Sequence, residues 1–190
     1  MSQETLERLD EMEAAPPAAD NASPAPIDVK DLIDSLLGWR EELTDALEQM
    51  TREAFERLIL RVLDKDGVSG IELSSTNDRI EGMGVFGGGG FLSFRVSFRC
   101  IRGGGRISSA EVEDFRRSVM VGRADKGLLI TTGKFTQEAS LKAASERAPE
   151  IRLIDGEELV DKLKDLQLGV RTEQVLVERV IIEREWLAGV

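Results

Sequence analysis

The run Phe91-Leu92-Ser93-Phe94-Arg95-Val96-Ser97-Phe98-Arg99-Cys100-Ile101 decides the fold class. Leu92, Phe94, Val96, Phe98 and Cys100 stand at every second position, with Ser93, Arg95, Ser97 and Arg99 between them. Successive side chains on a strand point to opposite faces, so this alternation predicts a strand with one apolar and one polar face. Ile101 falls on the face of Arg99, where the pattern asks for a polar residue. Upstream, Val68 to Leu73 and Arg79 to Phe86 read as two more strands, and Gly87 to Gly90 as the turn into the third. Those glycines lack the Gly-Lys-Ser/Thr of a nucleotide P-loop, so a hairpin loop accounts for them.

Downstream the period changes. Ser108 and Glu111 have the spacing of a capping box, opening a helix whose Val112, Phe115, Val119 and Met120 face inward and whose Arg116 and Arg117 are left outside. Gly127 to Thr132 reads as a buried strand, Thr136 as the cap of an alanine-rich helix to about Arg147, and Ile151 to Ile154 as another strand. Glu157 to Leu168 is a helix ending at Gly169. Strand, helix, strand, helix at this spacing means a parallel pair in a sheet covered on its faces. Before the first strand, Thr51 to Asp66 places Phe55, Leu58, Ile59, Val62 and Leu63 on one helical stripe, with Glu56 at its edge. Asp28 to Met50 reads as one or two short helices interrupted at Gly38. Gln174 to Glu183, rich in Val and Ile, reads as an added strand, with Trp186 and Leu187 available to pin it down.

The fold class is therefore α/β, a mixed central sheet flanked by helices. Residues 1–27 are an acidic, Ala/Pro-rich extension expected to be disordered, 28–50 a helical segment, 51–170 the main domain and 171–190 a C-terminal strand and tail. With 190 residues, 41% of them apolar, the chain has material for one domain with a real core. No stretch is long and apolar enough for a membrane span, and the start lacks a secretory signal, so a cytoplasmic protein without a membrane partner is expected. One cysteine and no histidine exclude an internal disulfide, a multi-cysteine zinc cluster, a Ser-His-Asp triad and a Cys-His pair. The net charge of −11 is unevenly placed: residues 1–50 hold 3 Lys/Arg against 13 Asp/Glu, whereas residues 51–170 hold 19 of each. An electroneutral body with an acidic front still accommodates one basic face.

Several motifs, taken together, resemble a known family. Phe55-Glu56-Arg57-Leu58, Asn77-Asp78-Arg79-Ile80-Glu81-Gly82, Phe98-Arg99-Cys100-Ile101-Arg102, Val121 to Gly127, Ile130 to Thr136 and Leu153-Ile154-Asp155-Gly156 look like the Mrr-type restriction endonuclease domain, in order, over about residues 39 to 170. The resemblance implies a PD-(D/E)xK nuclease fold, a four-stranded mixed sheet between helices that cuts DNA with Mg²⁺ or Mn²⁺. That family's pattern runs Gly-Asp-Gly-Gly-Ile-Asp-Gly and then Gln-Cys-Lys-Arg. Residues two apart on a strand point the same way, so its ligands and its Lys face one scissile phosphate.

Carried over residue by residue, Glu81 replaces the family's metal Asp, Arg99 its Gln and Ile101 its Lys, while Glu56 matches its first-helix Glu. Glu81 and Glu56 are thus the candidate metal ligands. A guanidinium in place of a neutral ligand and an isoleucine in place of a proton donor predict weak or absent cleavage. Arg95, Arg99 and Arg102 read as a cationic floor that holds phosphate without cutting it, or as an ordinary solvated face. Arg116, Arg117, Arg123, Lys126 and Lys134 are the candidate DNA-backbone contacts. The expectation is a double-stranded-DNA-binding protein of DNA restriction or phage defence with a degenerate catalytic site. Two alternatives stand beside it: an active endonuclease with an altered site, and a non-catalytic interaction module built on the nuclease fold. The acidic front fits a basic protein partner, and the Val/Ile-rich tail fits pairing in a homodimer.

Overall fold

Phe55, Phe98 and Phe115 are the largest fully buried side chains, and each belongs to a different layer. The computed structural model describes residues 29–74, 79–88, 92–103, 105–145, 149–175 and 181–189. Helices α1 (Val29–Gln49) and α2 (Arg52–Lys65) precede strands β1 (Val68–Leu73), β2 (Ile80–Phe86) and β3 (Phe94–Ile101). There follow β4 (Arg106–Ile107), α3 (Ser109–Val121), β5 (Lys126–Thr131), β6 (Lys134–Phe135), α4 (Gln137–Ala143), β7 (Glu150–Ile154), α5 (Gly156–Asp165) and a last short helix, α6 (Arg184–Ala188).

Five strands form one mixed sheet in the order β1-β2-β3-β5-β7. β1 with β2 and β2 with β3 pair antiparallel, whereas β3 with β5 and β5 with β7 pair parallel. β4 and β6 make a separate two-stranded parallel pair. The odd-even alternation of β3 sorts its side chains between two cores. Phe98 and Cys100 pack with Phe55, Ile59, Val62 and Leu63 of α2, Leu47 of α1 and Leu159, Val160 and Leu163 of α5. Ile101 packs on the other side, with Val112, Phe115 and Val119 of α3, Ala139 and Ala143 of α4, and Leu129 and Ile151. The result is a mixed sheet between two helical layers, the architecture expected from the sequence, with five strands in place of four.

The chain divides after Leu37 into two units. The first contributes the opening turns of α1, where Ile33, Leu36 and Leu37 are exposed. The second, Gly38–Val190, holds the sheet. α1 runs through Gly38 without the expected interruption. A glycine costs a helix only about 1 kcal/mol, and Trp39, Leu43 and Leu47 beyond it pack on the core and hold the helix.

Two other expectations are corrected. Ser108 stands at the N-cap of α3 but its hydroxyl makes no capping bond; the Glu111 carboxylate is turned toward Arg79 and Arg99 instead. Trp186 and Leu187, expected to pin the tail down, are 65% and 60% exposed, whereas residues 176–180, the middle of the expected tail strand Gln174–Glu183, lie outside the described residues. Asn77, Asp78, Gly89 to Phe91, Arg147 and the Ala14–Pro26 linker lie outside the described residues. Among the described residues, no helix is long and apolar enough to cross a membrane.

α3 sits close over β5 because Gly127 has no side chain. A Cβ there would lie 2.5 Å from Ile151 Cδ1 and 2.9 Å from both Phe115 Cε1 and Val119 Cγ2. All three neighbours are buried and have no free space to retreat into. Gly127→Ala is therefore expected to cost about 1–3 kcal/mol in urea unfolding through overpacking. Gly38→Ala, where an added Cβ meets nothing within 4 Å, is expected to raise stability by about 0.5–1 kcal/mol.

Candidate functional site

The motif positions meet at the end of β3 where it pairs with the start of β2. Register sets Glu81 directly opposite Arg99 and Ile80 opposite Cys100. Side chains opposite one another in an antiparallel pair share a face, so Glu81, Arg99 and Ile101 all look toward α3. Arg99, expected on a polar face, is only 2% exposed. Alternation assigned its face correctly, but α3 lies over that face and takes Arg99 out of water.

An arginine stays ionised in proteins, so a buried one needs carboxylates. Arg99 Nε lies 2.6 Å from Glu81 Oε1. Its Nη1 donates to Asp114 Oδ2 at 2.9 Å and lies 3.8 Å from Glu111 Oε2, and its Nη2 donates to Ser118 Oγ at 3.1 Å. The guanidinium also stacks over the Phe115 ring, 5.1 Å from its centroid. Arg79 closes the outer side: Nη1 donates to the same Asp114 Oδ2 and Nη2 to Glu111 Oε1, both at 3.2 Å. Arg99, followed by Arg117 and Arg79, holds the Asp114 carboxyl below the usual carboxylate range against a smaller opposing effect of burial.

The clamp thus uses three side chains that were not candidate site residues: Glu111 and Asp114, outside the motifs, and Arg79, within one. Sequence reading missed them, although Glu111 and Asp114 are three apart on one helix and so share a face. Arg79 stands where the family's pattern has a glycine. Beside the clamp, an open cleft of about 410 Å³ runs between β2 and α3, lined by Glu81, Met83, Ser97, Asp114, Ser118 and Val121.

These residues do not fit a divalent ion at the motif positions. Glu81 faces the Arg99 guanidinium, and Ile101, packed against the α3–α4 core, offers no ligand atom. Glu56 lies on α2, which packs on the opposite face; there its charge, together with the larger effect of burial, pushes the Cys100 thiol up and leaves it unreactive. Among the described residues, no group of three Asp, Glu or Cys side chains is arranged to hold a metal ion.

The other candidate cations separate into distinct settings. Arg116, expected outside, is only 5% exposed and donates to Lys142 O, Ala143 O and Ser145 Oγ, tying α3 to the C-terminal end of α4. It is unavailable to a DNA backbone. Arg95, Arg117 and Arg123 are exposed, with Arg117 3.5 Å from Asp114. Lys126 pairs with Glu150 at 2.9 Å and Lys134 with Glu157 at 2.7 Å.

Thr131 and Thr132 are buried, and their hydroxyls accept from Gly133 N and Gly103 N, so they brace loops. Register puts Arg95, Lys126 and Arg123 near the start of β3 and β5, away from the motif. Arg102 follows the motif end of β3. Arg106, which sequence reading did not single out, is opposite Lys134 in the β4–β6 pair.

Removing the Arg99 charge leaves three carboxylates facing one another. In urea unfolding, Arg99→Met is expected to cost about 3–5 kcal/mol. Arg117→Met, at a side chain 64% exposed, is expected to cost less than about 1 kcal/mol.

The Mrr_cat family model, described as restriction endonuclease, matches residues 47–163. Among solved structures, the chain is similar to the DNA modification-dependent restriction endonuclease AspBHI, with a TM-score of 0.54 and 15% identity over 88% of this chain and 45% of that one. It is also similar to the MspJI restriction endonuclease in complex with a 27-mer oligonucleotide, with a TM-score of 0.48 and 17% identity over 78% of this chain and 35% of that one. The chain therefore spans less than half the length of either solved relative, and at such identity the AspBHI likeness speaks for the fold alone. No curated protein matches it. The family match covers more than half of the chain, along the helix, strands and loops that carry the motifs; the chain belongs to the Mrr-type restriction endonuclease family.

Proposed function

We propose that this chain is a DNA-binding member of the restriction endonuclease family in which metal-dependent cleavage is weak or absent, acting in DNA restriction or phage defence. The observation that carries this reading is the pairing of Glu81 with a buried arginine, 2.6 Å away. Phosphodiester hydrolysis of this kind needs a metal to polarise the phosphate and a group to activate water. Glu81, the candidate ligand, is already neutralised by Arg99, and Ile101 supplies neither charge nor proton. The family acts on DNA, and the exposed cations Arg102 and Arg106, with Lys134, stand at the motif end of the sheet. A duplex is held by such local clusters whatever the net charge of the chain. Arg95, Arg123 and Lys126, at the far end, are secondary contacts in this reading.

The test is a gel shift and a plasmid-nicking assay on one preparation with Mg²⁺ or Mn²⁺. Salt-sensitive binding without nicking is expected, and Arg102→Ala with Arg106→Ala should reduce the salt slope by roughly 2, about 0.9 for each phosphate no longer neutralised. Arg123→Ala should change it less. Nicking by the unaltered chain contradicts the degenerate-site reading and favours an active nuclease with an altered site. Absence of any DNA binding, even after removal of residues 1–27, favours an interaction module.

A further inference from the structure

We propose that the cleft between β2 and α3 holds one unstacked nucleotide, with an amino-bearing base at its inner end and the phosphate among arginines at its outer end. This deepens the reading above and rests on it only for a DNA strand as one source of that nucleotide; a free nucleoside monophosphate is the other.

Size, lining and charge support the assignment. At about 410 Å³ the cleft lies within the range of small-ligand sites, about 300–1,000 Å³. Asp114 lines its inner end and Val121 its outer end, about 10 Å apart at the rise of an α-helix. That is the reach from the hydrogen-bonding edge of a base to its phosphate. Met83 lines the cleft from the sheet and Val121, 85% exposed, from the helix. A flat ring laid between them is covered by apolar groups on both faces, as an extruded base is in the sites that take one.

The inner end is rich in acceptors. Glu81 and Asp114 are held by Arg99, and Asp114 also by Arg79, yet their side chains stay 24% and 45% exposed. A carboxylate only accepts, so the base edge that meets it must donate. The exocyclic amine of cytosine, adenine or guanine does so, whereas thymine presents carbonyl oxygens. The Ser97 hydroxyl, opposite Met83 and without a hydrogen bond among the described residues, is left to donate to the acceptors of the base.

The outer end is cationic. Arg95 lies two residues before Ser97 on β3 and so on the same face, and Arg123 directly follows Gly122, which lines the cleft. Neither guanidinium forms an ion pair among the described residues, and both residues are exposed. The nearby Asp125 carboxylate is turned onto the Arg95 backbone N–H. Arg123 has φ +53°, a left-handed conformation that glycine adopts freely and a residue with a side chain only at a cost. The glycine stands one position earlier with φ −70°, where an added Cβ would lie 3.2 Å from Met83 Sδ and 3.3 Å from Ser118 O. Glycine thus lets the helix end close on β2, and an arginine holds the strained position at the mouth.

The test is a titration of the full chain with dCMP and with dTMP, read from backbone amide shifts by nuclear magnetic resonance. dCMP should shift the amides of Ser97, Ser118 and Val121 and bind roughly tenfold more tightly than dTMP. Arg123→Gly relieves the backbone, so this variant should melt higher than the unaltered chain while its affinity for dCMP falls severalfold and its affinity for deoxycytidine, which lacks the phosphate, is unchanged. A duplex with 2-aminopurine opposite an abasic position separates the two sources. Brightening on binding assigns the strand, and unchanged fluorescence beside dCMP binding assigns the free nucleotide.

No shift of the cleft amides at millimolar dCMP, equal affinity for dCMP and dTMP, or shifts centred on Arg102 and Arg106 instead overturns the proposal. So does an Arg123→Gly chain that binds dCMP as tightly as the unaltered one. Plasmid nicking or a failed gel shift would sink the reading above and leave this titration standing. Failure of the titration leaves the gel shift and the nicking result untouched.

Discussion

A guanidinium held out of water must be neutralised by the chain itself, and the arrangement around Arg99 follows from that constraint. At 2% exposure Arg99 has no water to share its charge, and desolvating an ion without partners costs several kcal/mol. Glu81 is supplied by strand register, directly opposite on β2. Asp114 and Glu111 are supplied by α3, whose height over the sheet depends on the bare backbone of Gly127. Phe115, between Glu111 and Val119 in sequence, fills the core on one side and lies under the guanidinium on the other. The position of α3, the packing of the second core and the electrostatics at the motif are one problem with one solution.

The architecture was legible because it rests on periodicity. The alternation read from Leu92 to Cys100 gives the strand from Phe94 onward, Leu92 itself lying before it and exposed; the helical stripe from Phe55 to Leu63 gives its helix to within a residue, and Thr136 caps its helix as its position predicts, accepting from Ala139 N. The site was legible in position and illegible in state. Period-2 alternation says which residues share a face but not what covers that face, so Arg99 read as part of a cationic floor or of a solvated face when α3 buries it. Ile101 was the one local sign, since an isoleucine on that face makes sense only beneath another layer. Arg116 misled for a related reason: on a helix with a second helix alongside, a flank position is an interface, and there the arginine ties off α4. Glu111 has the spacing of a capping box, but the demand of two arginines for its carboxylate outweighs one hydrogen bond to a helix end.

Burial and charge also divide the molecule by role. Cations that looked alike in the sequence become a core strut at Arg116, paired surface charges at Lys126 and Lys134, and exposed groups at Arg95, Arg102, Arg106 and Arg123. The carboxylates of Glu81, Glu111 and Asp114 are engaged by Arg99 and Arg79. A family scaffold whose ligand position is tied to an internal arginine keeps the mixed sheet of its fold, and what it does resides in its sites rather than in that fold.

The most direct measurement is the side-chain Nε–H resonance of Arg99 by nuclear magnetic resonance during a titration with paramagnetic Mn²⁺. A guanidinium locked between Glu81 and Asp114 predicts a sharp, slowly exchanging Nε–H signal that Mn²⁺ leaves unbroadened, together with the backbone amides of Glu81 and Arg99. Rapid exchange of that proton, or selective broadening centred on Glu81, would contradict the clamp and show that the carboxylate remains free to take a metal.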